Sequence, residues 1–357
     1  MLGISVYLGN QQMKEQEAYI RKMKQYAFDS IFTSLHIPED DPAMYKDQLK
    51  ALGSLANELN MELMADISPT SLQTLGFNWE NASELVKWGV TGLRVDYGVD
   101  EKTIAHLSKQ MKVALNASTL TSSTLKQLKQ NGLVTTSTEA WHNFYPRPET
   151  GLDWEDFLEK NNWLKNEGIS IMAFIPGDQN LRGPLYEKLP TLEVHRFVSP
   201  FAAYLDLKNK GKIEKILIGD NGISESTLEQ FTAYQKKEEI ILRAVPAPSV
   251  TEQEIKVASG RHTNRVDRAR DCIRSVESRH YASIGKDKIS PSHCIERLVG
   301  SITVDNERYK RYQGEVQITL RDLPSDNRVN VLGRVVPEDV LLLRWIKGNQ
   351  TFRIKWI

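Results

Sequence analysis

Residues 44–67, with the sequence MYKDQLKALGSLANELNMELMADI, decide the fold, because they join one helix to one strand of a repeating unit. Apolar residues at positions 44, 49, 52, 56 and 59 recur at helical spacing and predict an amphipathic helix over residues 44–59. The aliphatic run at residues 62–67 has the length and composition of a β-strand. Helices that alternate with such strands are typical of an α/β protein with a parallel sheet.

The same unit recurs through the first 240 residues. A further amphipathic helix is predicted over residues 153–164, where Trp154 and Phe157 fall on one side. Strands are predicted at residues 3–8, 30–35, 62–67, 92–96, 112–116, 133–136, 170–175 and 215–218. Eight strands with intervening helices over this length predict a (β/α)₈ TIM barrel. A doubly wound sheet is the alternative, but Gly9-Asn10 after the first strand is far shorter than a dinucleotide-binding fingerprint.

The pattern changes at Pro246-Ala247-Pro248-Ser249, which predicts a linker. Beyond it, the spacing of apolar residues predicts a helix over residues 266–278. Strands are predicted at residues 315–320, 329–336 and 351–356. We therefore predict two domains, a TIM barrel over residues 1–245 and a small, mostly β domain over residues 246–357.

The amino-acid composition argues against nucleic acid and membranes as binding partners of this protein. Lys+Arg and Asp+Glu balance at 46 each among 357 residues, so no overall charge favours nucleic acid or an anionic membrane. No apolar run approaches the roughly 18 residues that a membrane-spanning helix needs. The start of the chain, residues 1–8, has the pattern of a first strand and lacks the basic region of a signal peptide. With only two cysteines, Cys272 and Cys294, we expect a cytoplasmic protein without a disulfide framework, and the sequence requires no cofactor.

Active sites of TIM barrels lie where the strands end, so polar residues at those positions are the candidates. They are Asn10, His36, Asp66, Asp96 and Asn116 after strands one to five, the loop at residues 142–151, the loop at residues 176–196, and Asp220-Asn221. Carboxylates that follow several neighbouring strands converge at one end of the barrel. Such convergence is what acid/base chemistry needs.

The loop with the sequence HNFYPRPETG, residues 142–151, has the features of a rigid binding loop. Pro146 and Pro148 fix their own φ angles and favour an extended conformation in the residue before each. Arg147 stands between them, and the ordering of its side chain favours an anionic partner. We expect His142, Asn143, Tyr145 and Arg147 to contact substrate.

The loop at residues 176–196 is longer than the roughly 12–15 residues at which loops of compact domains are usually functional. It contributes the candidate catalytic residue Asp178, and it contributes the candidate substrate contacts Arg182, Glu193, His195 and Arg196. Asp220 is a further candidate contact. Arginines on two adjacent loops would suit a phosphorylated or carboxylated substrate.

Structural alternatives stay open for several of these residues. Asp96 can pair with Arg94 or cap a turn, and Asp178 can belong to the Pro-Gly turn before it. His142 can be a buried histidine bonded to a backbone carbonyl. The arginine-rich segment at residues 260–270 fits a solvated helix face with ion pairs between residues three apart, such as Asp267 and Arg270.

Four segments together resemble one known family. They are His142-Asn143-Phe144-Tyr145-Pro146-Arg147-Pro148; Pro176-Gly177-Asp178 with Arg182-Gly183-Pro184-Leu185; Leu189-Pro190-Thr191-Leu192-Glu193 with His195-Arg196; and Asn264-Arg265 with Arg274-Ser275 and Glu277-Ser278-Arg279. The family is that of the 6-phospho-N-acetylmuramidases (MupG), formerly described as bacterial outer-surface proteins, and the resemblance spans essentially the whole chain. The proline-flanked arginine loop is its most specific motif.

The resemblance implies a TIM barrel followed by a cyclophilin-like β domain. It implies cleavage of the β-1,4 bond of N-acetylmuramic acid 6-phosphate–N-acetylglucosamine by a cytoplasmic enzyme of peptidoglycan recycling. That disaccharide carries a phosphate and a lactyl carboxylate, two anions that suit Arg147 and either Arg182 or Arg196.

Glycoside hydrolysis usually requires one carboxylic acid and one carboxylate. We expect Asp96 to form this pair with Asp66 or Asp178, with His142 or Tyr145 tuning one of them. A separation of about 5 Å between the two carboxyl groups predicts retention, and about 6.5–9.5 Å predicts inversion. The 2-acetamido group of a muramyl sugar leaves substrate-assisted catalysis open as well.

Two other functions fit the same pattern. A phosphosugar aldolase, epimerase or isomerase would use a barrel lysine or a metal set. Lys112 and Lys215 fall at strand starts, the wrong end, although Asp66, Asp96, His142 and Asp220 are conceivable metal ligands. A non-catalytic phosphosugar sensor would use the arginines without needing paired carboxylates.

Overall fold

The computed structural model describes residues 1–9, 13–35, 45–95, 98–248, 250–279 and 288–357. The chain forms two compact units, Met1–Ser224 and Glu225–Ile357. Eight parallel strands close into a barrel in the first unit, and a seven-stranded sheet forms the second, so the predicted fold class is confirmed. The domain boundary predicted at residue 245 stays a prediction, as does the likeness of the second unit to cyclophilin.

The barrel strands run in chain order around the barrel, each paired with the next and β8 with β1. The strands are β1 (Leu2–Ser5), β2 (Phe28–Ser34), β3 (Glu62–Ile67), β4 (Gly92–Val95), β5 (Lys112–Asn116), β6 (Thr138–Trp141), β7 (Ser170–Ile175) and β8 (Lys215–Ile218). The α-helices of this unit are α1 (Met13–Gln25), α2 (Tyr45–Glu58), α3 (Pro69–Thr74), α4 (Glu101–Leu107), α5 (Ser122–Gln130), α6 (Trp154–Asn166) and α7 (Pro200–Asp206).

The sixth strand lies later in the chain than the sequence predicts. Residues 133–136 were expected to form it, but Thr135–Ser137 is a short 3₁₀ helix and β6 is Thr138–Trp141. The reason is the end of α5, where Gly132 has a φ of 87° and the N–H of Leu133 bonds to the Leu128 carbonyl. Gly132 and Leu133 therefore complete the end of the helix, as a glycine in the left-handed region commonly does, and the β-branched residues after them form the 3₁₀ turn that leads to β6.

A packed layer of inward-facing side chains fills the middle of the barrel. Phe32, Trp141 and Phe174 meet edge to face or tilted, with ring centroids 5.4–6.5 Å apart. The layer is completed by Tyr7, Met64, Ala114, Met172 and Leu217. Aromatic pairs at such distances add about 0.5–1.5 kcal/mol each beyond the burial of their area. This layer separates the polar groups at the two ends of the barrel.

The N-terminal end of the barrel is closed by an ion network. Lys215 Nζ lies 2.6 Å from Glu62 and 2.6 Å from Glu139, and Lys112 Nζ lies 2.5 Å from Glu62. Burial alone would raise the pKa of Glu62, but the two lysines outweigh it and hold this pKa below its usual value. Both strand lysines thus lie in the base of the barrel, away from the ends where catalysis is expected.

The second unit contains one mixed sheet and two α-helices. Its strand order is β10-β15-β9-β14-β12-β13-β11, antiparallel except for the β9–β15 pair. The strands are β9 (Ile240–Pro246), β10 (Gly260–Thr263), β11 (Cys272–Arg274), β12 (Ser301–Asp305), β13 (Val316–Thr319), β14 (Val329–Val335) and β15 (Thr351–Trp356), and the α-helices are α8 (Glu225–Lys237) and α9 (Glu252–Val257). Buried Asp339 accepts hydrogen bonds from Arg243 and Gln230, which ties α8 to β9. Across the described ranges, no helix is both long and apolar enough to cross a membrane.

The helix predicted over residues 266–278 is wrong. This segment includes β11, and Val266 and Val276, two members of the predicted apolar stripe, are 71% and 43% exposed. Only Ile273 of that stripe is fully buried, so no continuous face packs against a core. Pro246, expected to open a linker, instead ends β9.

Replacing Lys215 by Met should strongly destabilise the barrel. The change removes the buried cation between Glu62 and Glu139 and leaves beside them Lys112, which is partly exposed and lies 3.7 Å from Glu139. Breaking a buried ion pair in this way typically costs about 3–5 kcal/mol of unfolding free energy. Lys112→Met is the matched control, because that lysine side chain is 41% exposed and its loss should cost about 1 kcal/mol or less. Urea unfolding of both variants at pH 7 measures the difference, and equal losses would contradict a buried network centred on Lys215.

Candidate active site

Four side chains, from the ends of β2, β3 and β4 and from the loop after β6, form a hydrogen-bonded cluster at the barrel mouth. Arg94 Nη1 lies 2.9 Å from Asp66 Oδ1, and Arg94 Nη2 donates to Asn143 Oδ1 at 2.5 Å. The hydroxyl of Ser34 lies 3.5 Å from the other oxygen of Asp66. Alternation along β3 and β4 explains the arrangement, because Asp66 follows inward-facing Met64 by two residues and is paired in register with Arg94.

Arg94 belongs to this cluster, whereas the sequence analysis considered it only as a partner of Asp96. Its side chain is 7% exposed, and it joins a carboxylate on β3 to an amide after β6. A buried arginine that faces the inside of a barrel needs such partners, because burying an unpaired charge is costly. The signal was present in the sequence, since Arg94 alternates with Gly92 on a strand whose other residues are apolar.

Arg182 is held at the mouth by aromatic faces. Its guanidinium carbon lies 4.1 Å from the ring centre of Tyr7 and 5.7 Å from that of Phe144. Cation–π contacts at these distances contribute about 0.5–2 kcal/mol. No carboxylate of a described residue forms a salt bridge with Arg182, so this cation is available to an anion. Tyr7 is a second residue that the sequence analysis did not select.

Arg147 is exposed on the loop that follows β6, residues 142–151, here called the β6 loop. Among the described residues its guanidinium has no partner, whereas its carbonyl accepts hydrogen bonds from Thr150 and Arg196. The backbone is thus fixed while the charged group is free. The hydroxyl of Tyr145, on the same loop, lies 3.4 Å from that of Ser118.

Arg196 and Glu193 hold the β6 loop against the loop that follows β7, residues 176–196, here called the β7 loop. Arg196 is fully buried and donates to the carbonyls of Tyr145, Arg147, Glu187 and Lys188. Its other N–H groups bond to Glu193, and this arginine lowers the pKa of Glu193 to about 2. Glu193 also accepts the N–H groups of Glu149 and Gly151. The pair positions both loops, and its predicted contact with substrate stays a prediction.

Three further candidates have structural partners. Asp220 is fully buried and accepts the N–H groups of Gly177, Arg182 and Leu189. Asp178 accepts the N–H and hydroxyl of Ser224. His195 Nε2 lies 3.1 Å from Asp206 in a buried pair. Their predicted roles in catalysis or binding stay predictions.

His142 does not join the mouth cluster. Its Nε2 lies 2.7 Å from Asn161 Oδ1 on α6, and its ring packs on Phe157 of the same helix. Desolvation by burial lowers the pKa of His142 to about 4. The adjacent Asn143 points to Arg94 instead, as alternation predicts.

The cluster therefore brings together Asp66 and Asn143 of the predicted residues and adds Arg94 and Ser34, while Arg182 lies at the same mouth. Asn10, His36 and Asp96 lie outside the described residues, so the role predicted for Asp96 stays a prediction. Within the described ranges, no three His, Cys, Asp or Glu side chains are grouped as a metal ion would require. The mouth of the barrel thus holds the carboxylate of Asp66, fixed by Arg94, together with arginines that can bind an anion. This arrangement suits a reaction on an anionic substrate.

Comparison with known proteins identifies two family models, one for each part of the chain. One family model, described as 6-phospho-N-acetylmuramidase, N-terminal, matches residues 2–233, and its C-terminal counterpart matches residues 240–355. A conserved Enterococcus faecalis protein of unknown function is 42% identical, with a TM-score of 0.89 over 100% of this chain and 96% of that chain. An uncharacterized B. cereus protein is 26% identical, with a TM-score of 0.73 over 99% of both chains. No curated protein matches.

The burial of His142 predicts a pH-dependent loss of stability. The folded protein binds a proton there only near pH 4, whereas the unfolded chain binds it near pH 6.5. Stability should therefore fall as the pH decreases through this window, by about 2–3 kcal/mol between pH 7 and 4.5. In His142→Gln, whose amide still donates to Asn161, this part of the pH dependence should vanish. Urea midpoints at both pH values test it, and identical slopes for the two proteins would contradict the assignment.

Proposed function

Because the chain belongs to the 6-phospho-N-acetylmuramidase family, a family of glycosidases, we propose that it hydrolyses the β-1,4 bond of N-acetylmuramic acid 6-phosphate–N-acetylglucosamine. The observation that carries this proposal is the carboxylate of Asp66, fixed by Arg94 at the catalytic end of the barrel. We further propose that the enzyme acts in the cytoplasm, in peptidoglycan recycling. The family and this site support the proposal together.

Asp66 takes the role of the accepting carboxylate. A carboxylate in this position can act as a base toward water or as a stabiliser of positive charge at the anomeric carbon. Arg94 acts as a positioning residue, because its second nitrogen is fixed by Asn143. A nearby fixed donor set prevents the carboxylate from rotating away from the substrate.

Asp96 takes the role of proton donor on sequence grounds, because it directly follows the strand that supplies Arg94. In the proposed reaction its proton goes to the glycosidic oxygen, and that oxygen leaves with N-acetylglucosamine. Water supplies the hydroxyl at the anomeric carbon of the phosphorylated sugar, and when Asp66 acts as the base it accepts the proton that this water loses. Asp178 is the less favoured alternative because Ser224 already occupies both of its oxygens.

The two anions of the substrate suit Arg147 and Arg182, whose guanidinium groups form no salt bridge with a described residue. Arg147 is exposed and held on a fixed backbone, so it suits a phosphate that projects from the sugar. Arg182 lies deeper, on the faces of Tyr7 and Phe144, so it suits the lactyl carboxylate. A Schiff-base aldolase is less well supported, because Lys112 and Lys215 are bonded to the carboxylates at the base of the barrel.

The activity is tested by incubating the purified protein with the phosphorylated and the unphosphorylated disaccharide, with mass-spectrometric detection of products. Release of N-acetylglucosamine from the phosphorylated compound is the expected result. Parallel reactions with EDTA and with added divalent metals separate this hydrolysis from a metal-dependent reaction. Failure to cleave either disaccharide under all these conditions would overturn the proposal.

Asp66→Asn should lower kcat by about 10²–10⁴-fold, the usual contribution of a positioned acid or base. The amide keeps the size of the side chain and a bond to Arg94, so folding should be retained. Asp156→Asn, an exposed position on α6, is the matched control and should keep full activity. A kcat of Asp66→Asn close to that of the unaltered enzyme would remove Asp66 from the mechanism.

Arg147→Ala should reduce selectivity for the phosphorylated disaccharide. Loss of charge-assisted hydrogen bonds worth about 1.5–3 kcal/mol corresponds to about a 10–100-fold increase in KM. Arg147→Lys should recover part of the loss, because it keeps the charge without the planar fork. KM values for both disaccharides provide the measurement. An unchanged preference for phosphate in Arg147→Ala would place the phosphate elsewhere.

A further inference from the structure

A cavity of about 640 Å³ lies beside the barrel mouth. Its walls come from the end of β1, from α1, and from the loops after β7 and β8. We propose that this cavity binds the uncharged N-acetylglucosamine half of the disaccharide, which becomes the leaving group. The inference rests on the proposed function and adds the position of one sugar to it.

The lining of this cavity offers polar groups that lack partners within the described part of the chain. The side-chain amides of Asn180 and Asn221 and the hydroxyl of Tyr186 have none there. The hydroxyl of Tyr19 is buried and also has no partner among those residues. A buried polar group is normally hydrogen-bonded, so the hydroxyl of Tyr19 marks an unmet bond beside this cavity. Asn180 and Tyr186 are exposed, and their polar groups can exchange water for the hydroxyls of a bound sugar.

The charge of the lining selects the kind of ligand. The described lining residues include one carboxylate, Glu15, and no lysine or arginine. A carboxylate without a neighbouring cation disfavours a phosphate or a lactyl group by like-charge repulsion. Amide and hydroxyl groups are suitable partners for the hydroxyls and acetamido group of a neutral sugar. The exposed ring of Tyr186 adds an apolar face for a sugar ring.

Tyr7 connects the cavity to the catalytic end of the barrel. It lines the cavity, and its ring contacts Arg182, at 4.1 Å, and Phe32, at 6.5 Å. A disaccharide that passes Tyr7 would therefore place its neutral sugar in the cavity and its charged sugar near Arg182. The scissile bond would lie between them.

The test compares two substrates with the same phosphorylated sugar and different leaving groups. One is the disaccharide, and the other is the 4-nitrophenyl glycoside of N-acetylmuramic acid 6-phosphate. The double variant Asn180→Gly, Asn221→Ala removes both amides, and glycine tolerates the φ of 51° at position 180. The ratio of kcat/KM for the disaccharide to that for the aryl glycoside should fall by about tenfold, as the loss of two hydrogen bonds predicts.

The exposed Asn162 on α6 provides the control, and Asn162→Ala should leave the ratio unchanged. Inhibition by free N-acetylglucosamine is a second readout, and its inhibition constant should rise in the double variant but not in the control. An unchanged ratio together with an unchanged inhibition constant would overturn the assignment of this cavity. If the unaltered enzyme cleaves neither substrate, the proposed function itself fails, which is a different and recognisable outcome.

Discussion

The structure depends on the packed aromatic layer inside the barrel. Because side chains alternate along each strand, the residues two before this layer face the base and those two after it face the mouth. The same constraint therefore places Glu62 and Asp66, four residues apart on β3, at opposite ends of the barrel. One carboxylate becomes part of a structural ion network and the other part of the candidate site. Two carboxylates of the same kind therefore have different roles because they lie at different positions along one strand.

Much of the barrel is predictable from sequence, because its signals are local. The bounds predicted for β3, β5, β7 and β8 agree with the structure, since each is a short aliphatic run between clear helices. The sixth strand was misplaced because β-branched residues occur in the short 3₁₀ turn after α5 as well as in strands. The second unit was harder, since a set of apolar residues at helical spacing predicts a helix only if they share a buried face, and burial depends on tertiary structure.

The partners of the candidate arginines could not be predicted from the sequence. Arg147, Arg182 and Arg196 were equally suited to an anion by residue type. Arg196 instead donates to four backbone carbonyls from two loops, and none of those contacts leaves a signal in the sequence. Arg182 lies on aromatic rings, of which one comes from the first strand. The strand-end rule was sufficient to select Asp66, whereas its partner Arg94 required the register between β3 and β4.

The three backbone hydrogen bonds to Asp220 have a consequence for ligand affinity. They fix the β7 loop at Gly177, at Arg182 and at Leu189 before any ligand is present. The loss of conformational freedom in these residues therefore occurs during folding and does not reduce the free energy of binding. A loop that is ordered before binding also samples fewer conformations before it reaches the one that holds the ligand. We therefore expect a ligand to bind a pre-organised site, with little rearrangement of the loop backbone after the first encounter.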